Sequence, residues 1–124
     1  MSVIKYTVEI DSNRTQKWFL NGKLHNEHGP AIVWVSGAKE WYINGQLHNE
    51  NGPACETADG SKEWYINGQL HNENGPAIED IDGTKYWYIN GQQLTEEEFN
   101  NRHIKEMTIS EIQSLLGHKI KIIE

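Results

Sequence analysis

A single cysteine, Cys55, leaves no partner for an internal disulfide, which fits a reducing compartment such as the cytoplasm. No stretch approaches the roughly 18 apolar residues that a membrane span needs, and the opening MSVIKYTVEI lacks the apolar run of a secretory leader. Basic residues are scarce in the middle of the chain: Lys39 to Glu98 holds 12 acids against 3 bases, whereas residues 1–38 and 99–124 each hold 3 acids and 4 bases. Nucleic acid and anionic membrane are held by clustered Lys and Arg, so direct binding to either is disfavoured and a basic partner is favoured. Hydrophobic residues make up only 36% of the 124, which implies a core that is thin or open on one side. Chemistry-bearing motifs are missing too. There is no Gly-x-Ser-x-Gly elbow and no glycine-rich phosphate loop. Ser36, Ser61 and Cys55 fall in turns or strands without the base and orienting group that a nucleophile requires.

What the chain does have is a repeat. KEWYINGQLHNENGPA, Lys39 to Ala54, recurs letter for letter from Lys62 to Ala77. Looser copies flank it: QKWFLNGKLHNEHGPA from Gln16 to Ala31, and KYWYINGQ from Lys85 to Gln92. Trp18, Trp41, Trp64 and Trp87 are 23 residues apart, as are Gly22, Gly45, Gly68 and Gly91. A fixed period of this length signals an array of stacked units.

Each unit reads as a β-hairpin followed by a connecting loop. Ser36-Gly37, Asp59-Gly60 and Asp82-Gly83 are turn dipeptides, because glycine tolerates positive φ. Asn13-Arg14 occupies the same place in the first unit, and its arginine predicts a looser turn. Val3 to Ile10 alternates, with Ile4, Tyr6, Val8 and Ile10 on one face and Lys5, Thr7 and Glu9 on the other, so it supplies the first strand and an amino-terminal cap. Strands follow at Gln16–Leu20, Lys39–Ile43, Lys62–Ile66 and Lys85–Ile89. Alternation along them gives two ladders. Trp18, Trp41, Trp64 and Trp87 form the expected structural core, indole leaning on indole. Phe19, Tyr42, Tyr65 and Tyr88 form an aromatic stripe on the other face. Each strand ends at Asn-Gly, a strong turn signal, and Pro30, Pro53 and Pro76 mark bends before the next strand.

After Gly91 the period stops. Thr95 with Glu98 makes a capping box, with Leu94 and Phe99 as its hydrophobic staple. Phe99, His103 and Met107 recur every four residues. Thr108 with Glu111 starts a second helix, stapled by Met107 and Ile112; Leu115 and Leu116 continue its apolar face and Gly117 caps it. Lys119 to Ile123 alternates as a final short strand. The expected fold is therefore mostly β, a tandem β-hairpin array over residues 1–93 with a small helical cap and terminal strand over 94–124.

The unit W-Y-I-N-G-x-L-H-x(3)-G-P-A resembles the MORN repeat in its divergent bacterial and phage form, over roughly residues 8 to 93. It departs from the common unit at Asn26, Asn49 and Asn72, where that unit has glycine. The resemblance implies an extended antiparallel meander of hairpins, with protein or sometimes lipid contact; variant members in bacteria are often called antitoxin-like.

The repeated loops carry His25, Asn26 and Glu27, then His48, Asn49 and Glu50, then His71, Asn72 and Glu73. A shared metal ladder is ruled out by distance. Successive units lie two strands, about 9.6 Å, apart, while two ligands on one zinc sit within roughly 4 Å of each other. These residues are therefore expected to tie the loops to backbone, with no cofactor and no metal. The candidate partner surface is the aromatic stripe rimmed by acids: Tyr42, Tyr65 and Tyr88, with Glu40, Glu56, Glu63, Glu79 and Asp80, and with Trp34, whose repeat counterparts are Thr57 and Asp80. The leading expectation is a non-enzymatic module that docks this acidic aromatic face on a basic protein surface, as a phage or mobile-element inhibitor of a host defence enzyme would. The alternatives are a module that sequesters a small molecule or nucleotide, and a structural homo-oligomer joined through an exposed edge strand.

Overall fold

The computed structural model describes residues 4–103 and 108–117. Its strands are β1 Tyr6–Ile10, β2 Gln16–Leu20, β3 Lys23–Leu24, β4 Ile32–Val33, β5 Lys39–Glu40, β6 Tyr42–Ile43, β7 Gln46–Leu47, β8 Cys55–Glu56, β9 Lys62–Glu63, β10 Tyr65–Ile66, β11 Gln69–Leu70, β12 Ile78–Glu79, β13 Lys85–Ile89 and β14 Gln92–Leu94, followed by helices α1 Glu96–Asn101 and α2 Ile109–Leu116. Every pairing is antiparallel. The main sheet runs β1-β2-β4-β5-β8-β9-β12-β13-β14, with β3 on β2, and β6-β7 and β10-β11 form separate two-stranded ribbons. The fold is the mostly β hairpin meander with a small helical end expected from the repeat.

Two kinds of hairpin alternate. At Asn21, Asn44, Asn67 and Asn90, φ is 49–51°, and the following glycines have φ of 80–84°. Two successive positive φ values make the turn that matches strand twist. At Gly37, Gly60 and Gly83 only the glycine is left-handed, with φ of 90–101°, and the hairpin closes as Trp34 N–H to Ala38 O, 2.9 Å, and its equivalents. Arg14 does the same work without being glycine: its φ is +64°, and Arg14 N–H donates to Asp11 O at 3.0 Å. The first turn is not looser. It is held by the Asp11 carboxylate, which accepts from the N–H groups of Asn13 and Thr15 at 2.8 and 3.0 Å.

In the two middle units the tryptophan strands divide where a continuous strand was expected, whereas β2 and β13 run unbroken through Trp18 and Trp87. Trp41 N–H donates to Ala54 O while Trp41 O accepts from His48 N–H, at 2.8 and 3.0 Å. Both ends of the same connecting loop thus clamp one residue. Before Trp41 the strand pairs outward into the main sheet; after it, the strand pairs with its own Asn-Gly return, β7. Trp18 and Trp64 carry the same two bonds.

The register corrects the picture of stacked indoles. Lys17 opposes Ile32, Ile32 opposes Glu40, Glu40 opposes Cys55 and Cys55 opposes Glu63. One position along, the row on the other face is Val8, Trp18, Ala31, Trp41, Ala54, Trp64, Ala77, Trp87, Leu94. An alanine separates each indole from the next, because each unit contributes two strands to the sheet. Ala31, Ala54 and Ala77 are fully buried, at 0% exposure, whereas the four tryptophans are half-buried. The core is an alternation of large and small side chains, the arrangement that lets facing positions interdigitate.

At the carboxyl end, both halves of the capping box at Thr95 and Glu98 are formed and Phe99 is buried. Arg102 lies over the Phe99 ring, 3.8 Å from its centroid, and donates to Glu73 O, which ties α1 to the third His-Asn-Glu loop. His103 is exposed and follows α1, which ends at Asn101. In α2, Thr108 caps the first turn and Gly117 closes it with φ +70°. Leu115 does not continue a buried face: it is 74% exposed. Met107 and the expected strand at Lys119 to Ile123 lie outside the described residues.

Candidate functional site

The sheet faces differ in chemistry, and the register decides which residue goes where. Directly opposed residues share a face, and chain neighbours alternate. Glu40, Cys55 and Glu63 therefore stand in one row. Trp34, Tyr42, Tyr65 and Asp80 share that face by parity with Ile32, Glu40, Glu63 and Ile78. Glu56 and Glu79 do not. They belong to the tryptophan face, in the row Lys39, Glu56, Lys62, Glu79, Lys85, where each acid has a lysine opposite on both sides. The expected single acidic rim is thus two different surfaces: one balanced by lysines, one not.

On the unbalanced face, Glu40 is the organising group. Its carboxylate accepts from Trp34 Nε1 and from the Tyr42 hydroxyl, both at 2.9 Å. This explains the unmatched Trp34: its indole N–H has a carboxylate to satisfy. Trp34 is 38% exposed, and Tyr42, Tyr65 and Tyr88 are half-buried. Burial, helped by the carboxylates of Glu40 and Glu63, pushes the Cys55 thiol up to about 12. Burial and the Glu40 carboxylate raise the Tyr42 phenol well above its ordinary value. Burial, then Glu63, raises the Tyr65 phenol. Glu63 itself is raised, by burial first and by the Asp80 charge second. Among the described residues no lysine or arginine comes within 4.0 Å of Glu40, Glu63 or Asp80, nor of Glu56 or Glu79, whose lysines are cross-strand neighbours only; the contacts within that distance are from the imidazoles of His25, His48 and His71 to Glu27, Glu50 and Glu73. A partly desolvated negative surface studded with aromatics attracts cations and disfavours anions. The same surroundings disfavour the Cys55 thiolate, the form that acts as a nucleophile.

The His-Asn-Glu loops lie beside the tryptophan face and act between units. His25, His48 and His71 each accept, through Nδ1, the N–H of Asn44, Asn67 and Asn90 in the next unit, at 2.9–3.0 Å. That role places the ring proton on Nε2, which faces Glu27, Glu50 or Glu73 at 3.2, 3.4 and 3.7 Å. Asn26, Asn49 and Asn72 donate to the carbonyls of Pro30, Pro53 and Pro76 at 2.9–3.0 Å. Each asparagine oxygen accepts from the N–H two residues on. Where the repeat keeps Asn, its amide pins the loop that carries the clamp on tryptophan. A groove of about 480 Å³ opens between the first two loops, floored by Trp41 and Ile43. Its His48 and Asn49 are already committed to backbone. Among the described residues, no group of three or more His, Cys, Asp or Glu is placed to hold a metal ion, and no helix is long and apolar enough to cross a membrane.

Sequence reasoning did not identify the fully buried alanines or the short return strands β3, β7 and β11. The signal for the alanines was present: shifting the chain by 23 places Val8 on Ala31, Ala54 and Ala77. No protein-family model, curated protein or solved structure matches the chain.

Proposed function

We propose that this MORN-like array is a non-enzymatic protein-binding module whose acidic aromatic face docks on a basic protein surface in the cytoplasm. The observation that carries the reading is the row around Glu40, Cys55 and Glu63. Its carboxylates are half-buried, edged by Trp34, Tyr42 and Tyr65, and have no lysine as a direct cross-strand neighbour, while Glu56 and Glu79 on the opposite face each stand across from lysines. Like charges held together are costly to the free protein, and a cationic partner relieves that cost. Tyrosine and tryptophan anchor interfaces because they bury area with few rotors to freeze. In the sharper version, the partner is a host defence enzyme whose basic surface otherwise holds nucleic acid, and the chain is a phage or mobile-element inhibitor, antitoxin-like in effect.

Affinity capture from a bacterial lysate tests this. The expected result is a basic protein retained at low salt and released at high salt, and lost with the double substitution Glu40→Lys/Glu63→Lys. Retention indifferent to both overturns the acidic-face reading. A thermal-shift screen separates it from small-molecule sequestration, because a ligand that binds only the folded state raises the midpoint.

A further inference from the structure

The amino-terminal strand carries a second, independent surface. β1 pairs with β2 on one side through Tyr6–Leu20, Thr7–Phe19, Val8–Trp18, Glu9–Lys17 and Ile10–Gln16. Asn21 N–H donates to Lys5 O at 2.8 Å and Asp11 N–H to Thr15 O at 3.1 Å. Lys5, Thr7, Glu9 and Asp11 therefore direct their backbone groups toward β2. In an antiparallel ladder the intervening residues, Ile4, Tyr6, Val8 and Ile10, direct theirs the other way, and no described strand lies there. Their side chains are 70%, 56%, 53% and 66% exposed. An open five-residue edge with an uncovered apolar row is a template for another strand.

The order of residues along that edge names the occupant. We propose that two copies of this chain pair their β1 strands antiparallel about a dyad at Thr7. In that register Thr7 meets Thr7 of the second copy, Lys5 meets Glu9, Tyr6 meets Val8 and Ile4 meets Ile10. Every charge finds its opposite and every apolar residue another. Hydrogen-bond parity agrees independently: the Tyr6–Val8 and Ile4–Ile10 pairs are the ones whose free N–H and C=O groups face outward, while Lys5, Thr7 and Glu9 fall at the non-bonded sites, where side chains come closest. A contact in which residue i meets j and j meets i is the self-complementary interface of a two-fold dimer. A slip of one residue would set the apolar row against the charged face. This pairing uses neither Glu40 nor Glu63, so it stands or falls apart from the proposed partner surface.

Sedimentation or light scattering across a concentration series tests it. The unmodified chain is expected to approach twice the chain mass. Val8→Pro removes an outward N–H while sparing the β1–β2 ladder, and is expected to give the monomer. Lys5→Glu sets two pairs of acids face to face and is expected to raise the dimer dissociation constant about tenfold. It is the cleaner reversal, since Glu9 also faces Lys17 within its own chain. An equimolar mixture of Lys5→Glu and Glu9→Lys chains restores both attractions and is expected to recover the dimer as a heterodimer. A chain that stays monomeric at its highest soluble concentration overturns the proposal, as does a dimer unmoved by both Val8→Pro and Lys5→Glu.

Discussion

Val8 and Leu94 occupy equivalent places at opposite ends of the array, opposite the first and the last tryptophan of the row, Trp18 and Trp87. Val8 is 53% exposed, whereas Leu94 is half-buried beside a helix whose Phe99 is 7% exposed. The same register position is open at one end and covered at the other. A solenoid needs its terminal faces covered, because an interior unit buries its row only against neighbours on both sides. α1 covers one end within the chain. At the other end β1 adds a strand, yet carries its own apolar row outward, so it extends the sheet without closing it.

Matched truncations at the two ends sharpen this contrast most. Phe99→Ala is expected to cost about 3 kcal/mol, as emptying a buried aromatic site does. Val8→Ala, measured in dilute protein, is expected to cost under about 0.5 kcal/mol, as at other exposed positions. Chemical denaturation gives both numbers, and equal costs would break the contrast.

The first histidine clamp differs from the other two, His48 and His71 being equally exposed. His25 is 3% exposed and His71 14%, and the Tyr6 ring stands 6.4 Å from that of His25. Losing the Nδ1 acceptor strands an N–H more completely where water is excluded. His25→Ala is therefore expected to cost about 1.5 kcal/mol and His71→Ala about half of that, both read from thermal or denaturant unfolding. The first turn is the reverse case, a place to gain. Arg14 sits at φ +64° where the later units have glycine. A non-glycine residue there costs about 1–2 kcal/mol, partly offset by the entropy glycine loses on folding. Arg14→Gly is expected to stabilise by about 0.5–1 kcal/mol, and no gain would mean that the Asp11 bonds already absorb the strain.

Periodicity made the fold legible. Asn-Gly and Asp-Gly dictate positive φ, and Thr95 with Glu98 spells a capping box, so turns and cap are local properties that a sequence displays directly. The division of faces was not local. Whether Glu56 stands with Glu40 depends on which strand returns beside which, and the Asn-Gly returns, two residues long in the middle units, are too short to show alternation. The same gap hid the Trp–Ala row: Trp18, Trp41, Trp64 and Trp87 announce themselves, but the strands between them are marked only by an alanine after proline. Exposure of the Ile4, Tyr6, Val8 and Ile10 row was equally invisible, since alternation says that a strand has an apolar face and not what covers it.

The smallest effect concerns the acidic middle that both ends flank. Burial and Asp80 raise the Glu63 carboxyl above its ordinary value. The folded chain thus holds that proton more tightly than the unfolded chain does, and linkage makes Glu63's contribution to stability fall as pH rises through the window between the two values. The penalty is complete above the raised value. Glu98 has the opposite sign. The Thr95 N–H and hydroxyl lower its carboxyl, so its contribution is present above the ordinary carboxylate value and is lost as pH falls through the lowered one. Glu63→Gln is expected to raise the unfolding midpoint at neutral pH, by less than about 1 kcal/mol because solvent screens a half-buried group, and to leave stability unchanged in acid where Glu63 is already protonated. If the gain is the same at both pH values, packing rather than charge separates the two side chains. If Glu63→Gln also weakens capture of a basic partner, the cost is being carried for binding, as a stability–function trade-off requires.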